Sequence, residues 1–63
     1  MDTENDTAVY DAMAYNTGTV AYDIWKGVAT RAAIEAAGYR FEVATLKYCP
    51  KEKLEKDGWA YRV

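Results

Sequence analysis

Residues 19–37, TVAYDIWKGVATRAAIEAA, carry the strongest local pattern in this chain. Apolar pairs (VA, IW, VA, AA, AA) recur every four residues, a spacing that is typical of a helix rather than of a strand. The many alanines add helix propensity. Thr17 or Thr19 can cap the start, and Gly38 stands where a helix ends in the left-handed conformation. The sequence therefore predicts one main helix over about 19–37.

Gly27 interrupts this predicted helix. A glycine inside a helix costs about 1 kcal/mol relative to alanine. Its presence predicts that another element approaches the chain closely at this position.

Residues 6–15 continue the four-residue spacing, with apolar pairs at Ala8-Val9 and Ala12-Met13. The spacing favours a short helix, which the break at residues 16–18, Asn-Thr-Gly, would end. The alternative is an N-terminal β-hairpin in which Ala8–Tyr15 and Thr19–Trp25 are the strands around that turn. The short helix is preferred because the period continues on both sides of the break.

After Gly38 the pattern changes to a period of two. Aromatic and β-branched residues alternate over about 39–48, which predicts a strand that Pro50 ends. The charged residues 50–57 predict one helical turn, and about 58–63 predict a second strand. An antiparallel hairpin of these two strands needs a helix to cover it. The predicted fold class is therefore α+β, with the main helix packed on the hairpin through Trp25 and Val28.

The residue types missing from the chain limit its chemistry. A length of 63 residues predicts a single domain, 1–63, with residues 1–5 as a flexible tail. The chain has one cysteine, Cys49, and neither histidine nor serine. It cannot form an internal disulfide or a zinc site. The commonest general base near neutral pH is also missing. The sequence predicts a protein that is not an enzyme and that has no cofactor and no metal site.

The location is predicted from three features. The start, MDTEND, is acidic, whereas a signal peptide begins with basic residues and an apolar segment. No apolar run approaches the roughly 20 residues of a membrane span. An unpaired cysteine fits a reducing compartment. These features predict a cytoplasmic protein with no membrane partner.

Charge is unevenly distributed along the chain. Residues 1–25 carry five acidic and no basic side chains, whereas residues 26–63 have a net charge of +3. An acidic surface that carries tyrosines suits a basic protein partner, because carboxylates steer the encounter and tyrosines supply contact area. Small acidic inhibitors of phages and mobile elements block nucleic-acid-binding proteins in this way. The predicted function is a protein-binding module of this kind, with the partner-binding residues Asp6, Tyr10, Asp11, Tyr15, Tyr22 and Asp23.

Two other functions compete with this prediction. Basic residues interleaved with aromatics in the C-terminal hairpin could hold a phosphate backbone and stack on bases. The residues of that nucleic-acid-binding alternative are Arg40, Lys47, Lys51, Lys53, Trp59 and Arg62. The third hypothesis is a homodimer, joined edge to edge or through the alanine faces, since a two-stranded sheet is weak alone.

Overall fold

The computed structural model describes residues 6–63, so the predicted tail 1–5 lies outside the described residues. A 3-10 turn, Lys51–Lys53, lies between the last two strands. The other elements are, in chain order, β1 (Asp6–Asn16), β2 (Ala21–Ala29), α1 (Arg31–Ala36), β3 (Arg40–Pro50) and β4 (Trp59–Arg62).

The four strands form one antiparallel sheet in the order β3-β1-β2-β4. The predicted α+β fold is therefore wrong: residues 6–63 are mostly antiparallel sheet, and the one α-helix among them has six residues. Strands were correctly predicted near 39–48 and 58–63, but these strands do not form a hairpin with each other. β3 pairs with β1 and β4 pairs with β2, so the two lie at opposite edges of the sheet.

Two β-bulges in β2 explain why this strand looks like a helix in sequence. Tyr22 lies opposite Tyr15, and Trp25 lies opposite Met13, with shifts of register at both places. Each bulge adds one residue to β2, so Tyr22, Trp25 and Val28 reach the same face of the sheet. Residues three apart normally share a face in a helix and not in a strand, which is why the helix predicted over 19–37 is wrong for residues 21–29.

The N-terminal hairpin, which was the alternative to a short helix, is the structure that forms. The helix predicted over 6–15 is wrong, and the strands extend beyond Ala8–Tyr15 and Thr19–Trp25 to Asp6–Asn16 and Ala21–Ala29. Asn16 organises the connection, because its carbonyl accepts the Val20 N–H at 2.7 Å and its side chain accepts the Gly18 N–H at 2.9 Å.

Only the last part of the segment predicted to be helical, 19–37, forms a helix, and this helix is α1. Thr30, rather than Thr17 or Thr19, caps α1, and its hydroxyl accepts the Ala33 N–H at 3.2 Å. The predicted role of Gly38 is confirmed: it has a φ of 82° just after the helix. Its N–H donates to Glu35 O, and the next N–H, of Tyr39, donates to Ile34 O, which is the Schellman arrangement.

The core lies between α1 and one face of the sheet. The buried cluster contains two alanines of the sheet, and their small side chains let the helix lie close to the strands. Tyr10, Tyr39 and Phe41 pack around it, partly buried. A register shift in β4 places Trp59 on this face and Tyr61 on the other. The members of the cluster are Ala12, Ala29, Ala33, Ile34 and Trp59.

The close approach predicted at Gly27 is confirmed, although the element is a strand. A Cβ built on Gly27 would fall on the carbonyl oxygen of Tyr61 and 3.0 Å from the Cα of Arg62. The φ of Gly27 is 128°, a conformation that L residues rarely adopt. Glycine at this position therefore lets β4 reach the edge of β2.

No helix among residues 6–63 is long and apolar enough to cross a membrane.

Val20, at the end of the hairpin turn, is expected to reduce stability. Its φ is 57° although it is β-branched, and this conformation costs roughly 1–2 kcal/mol for an ordinary residue. Replacing Val20 with asparagine, which tolerates it better, should raise the free energy of unfolding by about 1 kcal/mol. Urea denaturation measures the change. Val43→Asn is the control, because Val43 is similarly exposed (69% against 71%). Equal effects of both variants would contradict the explanation by backbone strain.

Candidate protein-binding face

Most of the sheet face opposite α1 is uncovered within residues 6–63, although Val9, which alternation places on this face with Asp11, is only 2% exposed. Its rows follow from the register: Tyr15 lies opposite Tyr22, Met13 lies between Arg40 and Trp25, and Val28 lies between Asp11 and Tyr61. We call this surface the open face, and it comprises Asp11, Met13, Tyr15, Tyr22, Trp25, Val28, Arg40, Glu42, Lys47 and Tyr61.

Two pairs of aromatic rings lie along β2 on the open face. Trp25 and Tyr61 stack, with ring centroids 5.6 Å apart and planes 21° apart. Tyr15 and Tyr22 meet edge to face at 5.2 Å. The four rings are 38–56% exposed, although each ring contacts the other ring of its pair. Rigid, amphipathic rings held in place in this way are the side chains most often found at the centre of protein interfaces.

Charges on the open face are balanced. Asp11 accepts a hydrogen bond from Lys47 Nζ at 2.8 Å, so its carboxylate is paired within the molecule. The Arg40 guanidinium lies 4.9 Å from the centre of the Tyr22 ring. Glu42 is opposite Asp11 in the register and is exposed. Two carboxylates and two cations therefore border the rings, and the surface has no excess of either sign.

The six predicted partner-binding residues do not form one surface. Tyr15, Tyr22 and Asp11 share the open face. Tyr10 is on the other side of the sheet, where its ring packs 4.9 Å from that of Phe41. Asp23 is in a bulge and accepts a hydrogen bond from the Thr19 hydroxyl at 2.7 Å. Asp6 begins β1, opposite Pro50.

The six residues of the nucleic-acid-binding alternative are also separated. Trp59 is 4% exposed and packs in the core, so its ring has no free face on which a base could stack. Arg40 and Lys47 are on β3, and Arg62 is on β4 at the opposite edge of the sheet. Lys51 and Lys53 are exposed in the 3-10 turn. The basic residues were expected on one hairpin, and that hairpin does not form.

Sequence reasoning missed Trp25 and Tyr61 as surface residues. Trp25 was assigned to the side of a helix that packs on the C-terminal hairpin. The available signal was the spacing of Tyr22 and Trp25 around Asp23: a charged residue between aromatics three positions apart also fits a bulged strand.

The structure also has a concave region on the helix side of the sheet. It has a volume of about 260 Å³ and is lined by Lys26, Ala37, Tyr39, Trp59, Arg62 and Val63. The Arg62 guanidinium lies 4.7 Å from the centre of the Trp59 ring and forms an ion pair with Asp57. Arg62 is therefore held by its own neighbours and is not directed at a ligand. Among the described residues no three His, Cys, Asp or Glu side chains form a cluster suited to a metal ion.

The ion pair between Asp57 and Arg62 is expected to make stability depend on pH. The hydrogen bond from Arg62 lowers the pKa of Asp57 below its ordinary value of 3.8. A lowered pKa stabilises the fold above the ordinary value, and this contribution is lost as the pH falls through the folded-state pKa. The urea midpoint should therefore fall more between about pH 5 and pH 2 in the wild type than in Asp57→Asn. If the urea midpoints of the wild type and of Asp57→Asn fall equally as the pH is lowered, the ion pair does not make stability depend on pH.

No protein-family model, curated protein or solved structure matches this chain.

Proposed function

We propose that this chain is a small, non-catalytic protein-binding module and that the open face is its contact surface. The observation that supports this most is the exposure of the stacked Trp25–Tyr61 pair and the Tyr15–Tyr22 pair on the same side of one sheet. The largest exposed apolar patch of a small protein is often a functional contact surface. We place this binding in the cytoplasm, because Cys49 has no other cysteine with which to pair.

Inhibition of a basic, nucleic-acid-binding protein is a narrower form of this proposal. It needs carboxylates that are free to meet the partner's cations. The inhibitor proposal is weakened because Asp11 is already paired with Lys47. Tyr15 and Tyr22 support the inhibitor proposal only as contact residues. The wider proposal therefore rests on the rings and not on the acidic side chains.

Single-stranded nucleic acid is the second candidate. Arg40 lies over the Tyr22 ring, and Trp25 and Tyr61 stack on the same face of the sheet. Such an arrangement resembles a surface on which bases could stack. The balanced charge of the open face does not favour it, because binding to a phosphate backbone depends on uncompensated cations.

Capture by an immobilised chain tests the proposal. Wild type, Tyr61→Ser and Tyr48→Ser serve as baits for the proteins of a cell lysate and for an added, untagged copy of the chain. The two tyrosines are comparably exposed, at 56% and 67%. Tyr48 pairs with Ala8, which alternation places on the same face as Ala12, away from the open face. Hence Tyr48→Ser is a matched control.

Wild type and Tyr48→Ser are expected to retain the same proteins, and Tyr61→Ser is expected to lose them. If all three baits capture the same set equally, the open face is not the contact surface. If the baits retain oligonucleotides in a way that rising salt abolishes, and no protein depends on Tyr61, the nucleic-acid candidate replaces the proposal.

A further inference from the structure

We infer that the partner that covers the open face is a second copy of this chain, so that two sheets pack face to face in a dimer. This inference rests on the proposed function and names the partner. Four properties of the described residues support it: the size of the core, the state of the sheet edges, the balance of charge and the extent of the aromatic surface.

The core of one copy is small. Within residues 6–63 the buried apolar residues are three alanines, Val9, Ile34 and Trp59. A domain of this length buries only about 60% of the surface that its unfolded chain exposes, and such domains usually depend on disulfides, a metal or association. The chain has one cysteine and no histidine, so it has no disulfide of its own and no zinc site of the usual kind. Association is the remaining means of burying more apolar surface.

The sheet edges are poorly suited to association, in contrast to the open face. β2 extends beyond β4 at one edge, and there it contains bulges at Asp23 and near Lys26. β3 forms the other edge. Its pairing with β1 is irregular between Glu42, which lies opposite Asp11, and Lys47, which lies opposite Val9. β3 ends in Pro50. Bulges, charges and proline are the features that keep sheet edges from pairing. The edge-to-edge form of the homodimer hypothesis is therefore disfavoured.

The alanine faces are not available for association either. Ala12, Ala29 and Ala33 already pack against one another within the core of a single copy. The remaining uncovered surface of the sheet is the open face. Two layers of secondary structure around an apolar interior are the usual arrangement of a domain, and a second copy would add a sheet-on-sheet contact to the helix-on-sheet contact.

The charge of the open face fits a copy of itself better than a basic or a polyanionic partner. Asp11 is paired with Lys47, and Arg40 and Glu42 are neighbours of opposite charge on β3. In a two-fold dimer the same patch is used by both subunits, so the patch must be self-complementary. A patch of zero net charge meets its own copy without net repulsion.

The exposed area also has a suitable size. A buried aromatic side chain covers on the order of 200 Å², so the four rings, at 38–56% exposure, leave roughly 400 Å² uncovered. A standard interface buries about 800 Å² on each partner. The rings supply about half of this area. Met13 and Val28 lie within the rows of the open face and add apolar area, and Arg40 and Glu42 can supply a more polar border.

Sedimentation velocity over a range of concentrations tests the inference on the full chain. The wild type is expected to change from monomer to dimer as concentration rises into the micromolar range. Trp25→Ser and Tyr61→Ser should each weaken the dimer by about tenfold or more, since truncating a central aromatic residue has effects of this size. Tyr48→Ser should leave the dissociation constant unchanged. Circular dichroism of each variant checks that the sheet is intact.

Three results would overturn the inference, and they have different consequences for the proposed function. A wild-type monomer at high micromolar concentration rejects the second copy. The proposed function then survives only if a captured protein still depends on Tyr61. A dimer that Trp25→Ser and Tyr61→Ser leave unchanged uses another surface. A dimer that Tyr48→Ser weakens as much as Tyr61→Ser is not joined through the open face.

Discussion

Replacing Gly27 with alanine is expected to cost about 3 kcal/mol or more of folding free energy. The new Cβ would overlap the carbonyl of Tyr61, and the backbone would have to keep a φ of 128°. A 63-residue domain has a total stability of roughly 3–9 kcal/mol. The variant should therefore lose about a third to all of its stability, or it should release β4 and expose Trp59. Urea denaturation, with the emission wavelength of tryptophan as the second signal, measures both outcomes.

Gly38→Ala is the matched control for Gly27→Ala. Gly38 also has a positive φ, of 82°, but a Cβ built on it meets nothing within 4 Å. Its replacement should cost about 1 kcal/mol, from the backbone conformation alone. Similar losses for the two variants would mean that β4 does not approach β2 as closely as the structure shows.

The two tryptophans are expected to respond differently to truncation. Trp59→Ala should lower the free energy of unfolding by about 4 kcal/mol, because Trp59 is 4% exposed among Ala33, Ile34 and Ala29. Trp25 is 42% exposed, and Trp25→Ala should cost about 1 kcal/mol in dilute protein, where the open face is uncovered. Far-UV circular dichroism in urea follows both variants without relying on tryptophan emission. Equal losses would show that the assignment of one tryptophan to the core and the other to the surface is wrong.

Local features of the fold were predictable from the sequence. The strands near 39–48 and 58–63, the end of the first at Pro50, the helix end at Gly38 and the close approach at Gly27 all depend on residues that act within a few positions of themselves. Strand pairing was not predictable in this way. β3 and β4 are consecutive strands that each pair with a member of the N-terminal hairpin, and no local signal distinguishes that topology from a C-terminal hairpin.

The bulges in β2 account for the largest error. They bring Tyr22, Trp25 and Val28 to one face at a spacing of three, which imitates a helix. This error also affected the candidate site. Trp25 was placed in the core, and Tyr10 was grouped with Asp11 although the two lie on opposite faces of the sheet. Tyr15 and Tyr22 were selected from the sequence and do lie together on the open face. Trp25 had a signal in its spacing from Tyr22, and Tyr61 could be identified only from the register.

Acrylamide quenching of single-tryptophan variants tests most directly whether a second copy covers the open face. Trp59→Phe leaves Trp25 as the only tryptophan, and Trp25→Phe leaves Trp59. In dilute protein Trp25 should be quenched far more strongly than Trp59, and raising the concentration of the chain should protect Trp25 while Trp59 stays unchanged. The account is contradicted if acrylamide quenches Trp25 as weakly as Trp59 in dilute protein. It is also contradicted if the quenching of Trp25 is the same at every protein concentration.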